Sequence, residues 1–280
     1  MSFYFFNFLL FLGVVTIVVG IKLDDYCKPD SGNTPCRTEC KRSSSCGQTA
    51  DKFAHLTDDE RERVLQKHNE LREAVAKGDY SSQNLPACDG GIKVMSYDKE
   101  MEFLAACHIK ACDFNHDKVR LNSKGEKCGQ NLHMAIMSAP SGFPETFLED
   151  GIQSWFNEIS LVHDSGIVAN FPSAKGIGHL TALIWGETEL VGCAKMHYTS
   201  SKKHYYSLFC DYFPAGNMIG APIYKDGTCE KNPVFGNLCG KIRLLADDTY
   251  SPPLDLSSGF TLGAWSLCVY LFWNMMVLIL

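Results

Sequence analysis

The sequence predicts an α+β fold in which helices come first and strands follow, and three observations carry that reading. Apolar residues recur at helical spacing in three segments between Thr57 and Ile159. The period then drops to two in three segments between His179 and Tyr212. The flanks are rich in cysteine and both ends are uncharged and apolar, the composition of a disulfide-stapled chain of the secretory pathway.

Taken in order, the first element is an apolar run from Phe3 to Val19 followed by Gly20 and a charged stretch. It reads as a signal peptide, residues 1–20, cut after Gly20, with an uncleaved anchor as the alternative. Residues 21–55, with four cysteines and no periodicity, read as an extended N-terminal arm that only disulfides could hold down. Residues 56–220 form the main domain. Thr57 and Glu60 are spaced as a capping box, Val64, Leu65, His68, Leu71 and Val75 form one helical face, and Gly78 stops the helix. Gly78 and Asp79 are thereby a helix cap and a solvated loop residue, which is the simpler reading of the integrin-motif-like string Lys77-Gly78-Asp79. A second helix begins near Asp98, with Met101, Leu104, Ala105, His108 and Cys112 on one face. Gly125 to Gln130 reads as a turn, and a third helix runs from Pro144 through Trp155 to Ile159. His179–Trp185, Leu190–Tyr198 and His204–Tyr212 read as antiparallel strands.

Residues from 214 to 257 are rich in Gly and Pro and read as a loose tail, of which 221–257 is a cysteine-containing extension. The last segment, 258–280, is apolar and uncharged from Phe260 onward, with small residues Ser257, Ser258 and Gly259 before it. That pattern reads as a glycosylphosphatidylinositol anchor signal, with Ser257 or Ser258 as the attachment site, or as a spanning helix. Cysteine parity favours removal of the tail: of the 13 cysteines Cys268 alone lies in it, and the other twelve would form up to six bridges. Cys229 and Cys239 are close enough in sequence to close a small loop, whereas Cys27, Cys36, Cys40, Cys46, Cys88, Cys107, Cys112 and Cys128 have no assignable partners. Cysteines 27, 36, 40 and 46 are expected to pin the arm to itself and to the second helix near Cys107 and Cys112.

The formal charge of −6 excludes a nucleic-acid binder, which needs basic stripes. No phosphate-cradling glycine loop, zinc-finger spacing or Gly-X-Ser-X-Gly elbow is present. Among nine histidines, two stand out by context: His116, just past a helix in a polar string, and His179, after the flexible Gly176-Ile177-Gly178. Two imidazoles and a carboxylate could hold a zinc-like ion if folding gathers them, whereas each histidine taken singly reads first as a hydrogen-bonded structural residue.

Four short strings resemble the signatures of the CAP superfamily (cysteine-rich secretory proteins, antigen 5 and pathogenesis-related proteins). They are His68-Asn69-Glu70-Leu71-Arg72, Gly129-Gln130-Asn131-Leu132, Gly178-His179-Leu180-Thr181 with Trp185, and Cys210-Asp211-Tyr212-Phe213-Pro214-Ala215-Gly216-Asn217. They stand in the family's order, and Asp25-Tyr26-Cys27 with Phe114-Asn115-His116-Asp117 is most similar to the insect venom antigen 5 branch. The resemblance implies a three-layer α-β-α sandwich whose cleft gathers His116, His179, Glu158 and, where the family has an acid, Gln130. An amide cannot act as a base or neutralise a cation, so metal held by His116 and His179 would be weak. Leu180 replaces an aromatic and is expected to alter the cleft wall. Val119 stands where the venom branch has a cysteine, with Cys128 or Cys107 as candidate substitutes. The resemblance also implies a Cys193–Cys210 bridge.

The function implied is binding in the extracellular space: a lipid or sterol, a protein partner, or both, on a domain tethered to the outer leaflet of the membrane. No cofactor is required, and zinc or another divalent cation is an optional occupant of the cleft. The alternative is a metal-assisted hydrolase using His116, His179 and Glu158.

Overall fold

The computed structural model describes residues 22–46, 53–54, 56–138, 142–173 and 175–243. The expected signal peptide, the candidate attachment sites Ser257 and Ser258, Cys268 and the apolar tail lie outside these. The elements in chain order are α1 (Leu23–Cys27), α2 (Thr34–Thr38), β1 (Phe53–Ala54), α3 (Asp58–Lys77), β2 (Ser96–Tyr97), α4 (Lys99–Ile109), β3 (Gly129–Met137), α5 (Phe147–Phe156), α6 (Gly166–Ala169), α7 (Gly178–Ile184), β4 (Leu190–Ser200) and β5 (Lys203–Phe213). Among the described residues no helix is long and apolar enough to cross a membrane.

The strands form one sheet in the order β1-β4-β5-β3, antiparallel throughout, with β2 joining β4 in parallel. Helices α3, α5 and α7 cover one face through Val64, Leu71, Val75, Ile152, Trp155, Leu183 and Ile184, which share a core with Cys193, Leu208 and Tyr212. Helix α4 covers the other through Ala105, Ala106 and Ile109, packed on Leu132, Ala194, Met196 and Phe209. The result is the α-β-α sandwich that the family resemblance implied. Gly192 lets α4 lie directly on β4, because a Cβ there would run into the backbone of Glu102.

Local chemistry sets the helix limits. Thr57 Oγ1 accepts from the Glu60 amide at 3.2 Å while the Thr57 amide donates to Glu60 Oε2 at 3.0 Å, and Gly78 closes α3 at φ 92°. Asp98 Oδ1 caps α4 by accepting from the Met101 amide at 2.9 Å.

Arg72, fully buried, ties the layers together. Its guanidinium donates to the carbonyls of Lys93, Leu183, Trp185 and Thr188 at 2.7–3.1 Å, and to that of Gly186 at 3.4 Å. Burial without a carboxylate partner lowers its pKa to about 9.

Several sequence-based expectations are corrected. Residues 179–185 are not a strand: Gly178–Ile184 is helix α7, with Leu180 to Ile184 all buried. A short apolar run reads alike for a buried strand and a buried helix, and here the helix wins. Gln130 is not in a turn but in β3, which pairs with β5 from Gly129↔Tyr212 to Met137↔His204. Nine paired residues override the weak strand propensity of Gln, Asn and His. The third helix starts at Phe147 rather than Pro144, and α4 ends at Ile109, so Cys112 lies beyond it. The arm is not wholly extended, since α1 and α2 form two short turns. Residues 214–243, expected to be loose, bury Ile223, Tyr224, Phe235 and Leu238 in the α3-side core.

Among the described residues five disulfides are present: Cys27–Cys36, Cys40–Cys107, Cys46–Cys112, Cys193–Cys210 and Cys229–Cys239. The arm is thus pinned to itself and to α4 and the loop after it, as the cysteine spacing suggested. Full pairing of the twelve is corrected, because Cys88 and Cys128 are buried free thiols. Cys88 packs in the α3-side core and Cys128 beside Tyr26, Met101 and Leu104, so the two belong to different clusters. Neither candidate replaces a cysteine at Val119: Cys107 is bonded to Cys40, and the arm is held there by Thr34 N donating to the Val119 carbonyl at 3.3 Å.

Candidate functional site

The four residues singled out from sequence meet at one end of the sheet, each delivered by a different element. Gln130 comes from β3, Glu158 from the 3-10 turn that follows α5, His179 from the first turn of α7, and His116 from the loop after α4. The His116 and His179 ring centroids are 6.3 Å apart, and Trp155 lies flat against His179 at 6.3 Å and 19°. The Trp155 indole donates to the Leu132 carbonyl at 3.0 Å, which fixes it as the floor under His179.

Both oxygens of Glu158 are engaged. Its Oε1 accepts from His179 Nδ1 at 2.6 Å, and its Oε2 accepts from the backbone amides of His179 and Leu180 at 2.9 and 3.0 Å. The carboxylate therefore caps α7 and orients the His179 ring, satisfying amides that a helix start leaves unpaired. In the neutral tautomer that donates through Nδ1, Nε2 carries the ring's lone pair, and the His179 side chain is 34% exposed.

Gln130 plays the matching part for His116. Its Oε1 accepts from His116 Nδ1 at 3.0 Å, while its Nε2 donates to Asp211 Oδ1 at 2.9 Å and His108 Nδ1 at 3.1 Å. Asp211 is the direct cross-strand partner of Gln130 and is fully buried, so the carboxylate decides which end of the amide faces His116. Burial and nearby Asp117 push the Asp211 pKa well up, and its Oδ2 has no hydrogen-bond partner. Burial lowers the His116 pKa, opposed by the bond to Gln130 and aided by Arg120 and His179.

The arm and the loop that carries His116 are one unit. Asp117 accepts from Arg120 Nη1 at 2.7 Å and from Thr34 Oγ1 at 2.7 Å, and Asn33 bonds both N–H and C=O of Leu121. Disulfides Cys40–Cys107 and Cys46–Cys112 hold the arm against α4 and the start of that loop. The arm thus helps to set the position of His116.

The remaining motif residues are structural cement. Asn69 bonds both polar groups of Met95; Asn131 donates to the His179 carbonyl and to Tyr212 Oη; Asn217 donates to the Gly178 carbonyl and accepts from Thr181 Oγ1. Leu180 is buried in the α3-side core, so its replacement of an aromatic changes the packing behind the cleft, not an exposed wall. Sequence reasoning missed Asp211, Arg120, Asp117 and His108. The one signal for Asp211 is an acid in the variable place between Cys210 and Tyr212.

The donor set bears on any cation. Among the described residues, no three His, Cys, Asp or Glu side chains are grouped to hold a metal. The cleft offers two imidazole Nε2 lone pairs; the acid is committed to α7 and the amide to His116.

A model of CAP, the cysteine-rich secretory protein family, matches residues 65–212. The chain belongs to this family. It is 34% identical to venom allergen 5 of Microctonus hyperodae over 174 residues, 62% of this chain and 74% of that protein. It is 30% identical to venom allergen-1 of Aedes albopictus over 259 residues, 88% of this chain and 99% of that protein. The crystal structure of NaASP2 with Zn2+ superposes with a TM-score of 0.54 at 29% identity, covering 66% of this chain and 97% of that one. The matched CAP region holds His116, Gln130, Glu158 and His179, while the arm and the extension past Tyr212 flank it.

Proposed function

We propose that this chain is an extracellular CAP-domain binding protein, held at the outer leaflet by its C-terminal segment, that engages a lipid or sterol, a protein partner, or both. One observation carries the preference for binding over hydrolysis: Glu158, the acid of the expected tetrad, accepts three hydrogen bonds from α7 and its histidine. A general base needs a lone pair aimed at water or substrate, and the fold takes three of the roughly four acceptor sites that a carboxylate offers. Five disulfides and the likeness to venom allergens support the extracellular setting.

His116 and His179 would hold a divalent cation through Nε2, with water completing the shell. Such an ion would supply positive charge for an anionic or carbonyl group of a ligand. Zn2+ in the NaASP2 structure supports the cation part of this reading. With only two nitrogen ligands, binding weaker than micromolar is expected. Calorimetric zinc titration checks it: weak binding lost in His116→Ala and His179→Ala supports the reading, and submicromolar binding lost in both overturns "weak". Release of cell-surface protein by phosphatidylinositol-specific phospholipase C tests the tether; retention rules out the lipid anchor.

A second reading draws on the 2.6 Å Glu158–His179 contact, which resembles an oriented base. It makes the protein a metal-assisted hydrolase. Chelator-sensitive peptide turnover abolished by Glu158→Gln would establish it.

A further inference from the structure

A second histidine pair stands at the far end of the sheet. Seven residues of β5, about 23 Å at the usual strand rise, separate His204 from Asp211. In the β4–β5 register His197 lies opposite Tyr206 and Thr199 opposite His204, so all four side chains stand on one face. His197 Nε2 and His204 Nδ1 are 3.1 Å apart, and Thr199 Oγ1 is 3.3 Å from the same Nδ1. The two rings are nearly parallel, 19° with centroids 5.3 Å apart. Behind them, His197 lies flat on buried Tyr206 at 4.4 Å and 12°, and Phe143 meets Tyr206 edge-on at 5.4 Å. The pair is half-buried and backed by aromatic rings.

Two imidazole nitrogens this close can share one proton but cannot both carry one, since two N–H groups would then face each other. A metal ion resolves the same conflict. Two bonds of about 2.0–2.1 Å to one ion, the usual zinc–imidazole length, span 3.1 Å at an angle of about 100°. Each ring meets the requirement by keeping its proton on the other nitrogen. The Thr199 hydroxyl stands ready as an oxygen donor, and water can complete the shell of a half-buried pair. Antiparallel strands in fixed register hold the nitrogens together before any ion arrives, so little ordering remains to be done on binding.

We propose that His197 and His204 form a chelating pair for a divalent transition-metal ion, binding copper(II) more tightly than zinc. Imidazole suits both ions, and the order of affinities places copper first. The ion would clip β4 to β5 near their shared turn. This site is independent of the cleft, where the two imidazoles sit on separate loops and helices.

The test uses the full chain carrying His116→Asn and His179→Asn, titrated with Cu2+ alone and with Zn2+ alone, and followed by calorimetry and by copper electron paramagnetic resonance. One ion is expected to bind, with copper spectra showing nitrogen coupling and a raised thermal midpoint. Adding His204→Gln or, separately, His197→Gln is expected to weaken binding by about tenfold or more. Thr199→Val keeps both rings and is expected to weaken it less. The two histidine variants check each other, and near-ultraviolet circular dichroism reports whether each has folded. Absence of metal binding in the cleft-deficient chain overturns the proposal. So does binding that neither folded variant weakens.

Discussion

Buried polar side chains decide most at the residue scale. Arg72 satisfies five carbonyls from two chain segments, so Arg72→Met would leave them unpaired in the core. A loss of about 3–5 kcal/mol is expected, read from denaturant midpoints at unchanged slope. Lysine would not rescue it, because a single ammonium cannot fork toward carbonyls on two sides. Gln130 is a sharper case. Gln130→Glu restores the family's acid but sets a carboxylate against buried Asp211 and removes both donors of the amide. It should destabilise by about 2 kcal/mol, and adding Asp211→Asn should recover at least half of that. Equal loss in the single and double variants would contradict Asp211 as the reason for the amide. His68 sets a pH dependence. Burial lowers its pKa from 6.5 to about 4, with its Nδ1 donating to the Val64 carbonyl and its Nε2 accepting from Tyr212. The unfolded chain takes the proton first, so the stability due to neutral His68 is complete above about pH 6.5. It is lost as the pH falls toward 4, by roughly 3 kcal/mol. His68→Gln should flatten this part of the stability–pH curve.

Elements differ in how plainly the sequence announces them. Helix α3 is legible because its capping box, apolar face and terminal glycine all agree, and α4 because Asp98 caps a clear apolar face. Helix α7 is not legible, since its start is capped by a carboxylate 20 residues earlier in the chain and its residues are buried on nearly every side. Strand β3 hides for a related reason: its pattern of burial comes from nine long-range pairs with β5, which no local window contains. The cleft histidines and Glu158 are visible as motif residues, whereas Asp211 acts only through cross-strand pairing. Glu158→Ala should therefore cost about 1–3 kcal/mol by exposing three unpaired donors, with α7 amide exchange rising before the rest of the chain. The β4–β5 turn offers a gain instead. Ser201 and Lys202 both adopt positive φ, 49° and 61°, where asparagine and glycine are favoured. Ser201→Asn with Lys202→Gly should raise stability by about 1 kcal/mol, checked by thermal midpoint.

At the scale of the whole molecule, disulfides connect the arm to the cleft rather than simply hardening a surface. Cys40–Cys107 and Cys46–Cys112 close loops of 67 and 66 residues, and the arm they secure holds Asp117 and Leu121 beside His116. The framework also predicts a thiol count. Burial raises the Cys88 pKa to about 11 and that of Cys128 well above the usual range, so both should resist alkylation in the native protein. After unfolding without reductant, peptide mapping should find label on Cys88 and Cys128 and not on the ten bonded cysteines; label on any of those ten would contradict this pairing. The central claim is that the acid and the amide of the CAP cleft are used to aim two imidazoles, leaving both Nε2 lone pairs for a ligand. Long-range nitrogen–proton correlation of the histidine rings of the full chain at neutral pH tests this most directly. The account predicts the Nδ1–H form for both His116 and His179, with added zinc moving both Nε2 resonances. A protonated Nε2 on a neutral ring of either residue, or zinc shifts that bypass both, would contradict it.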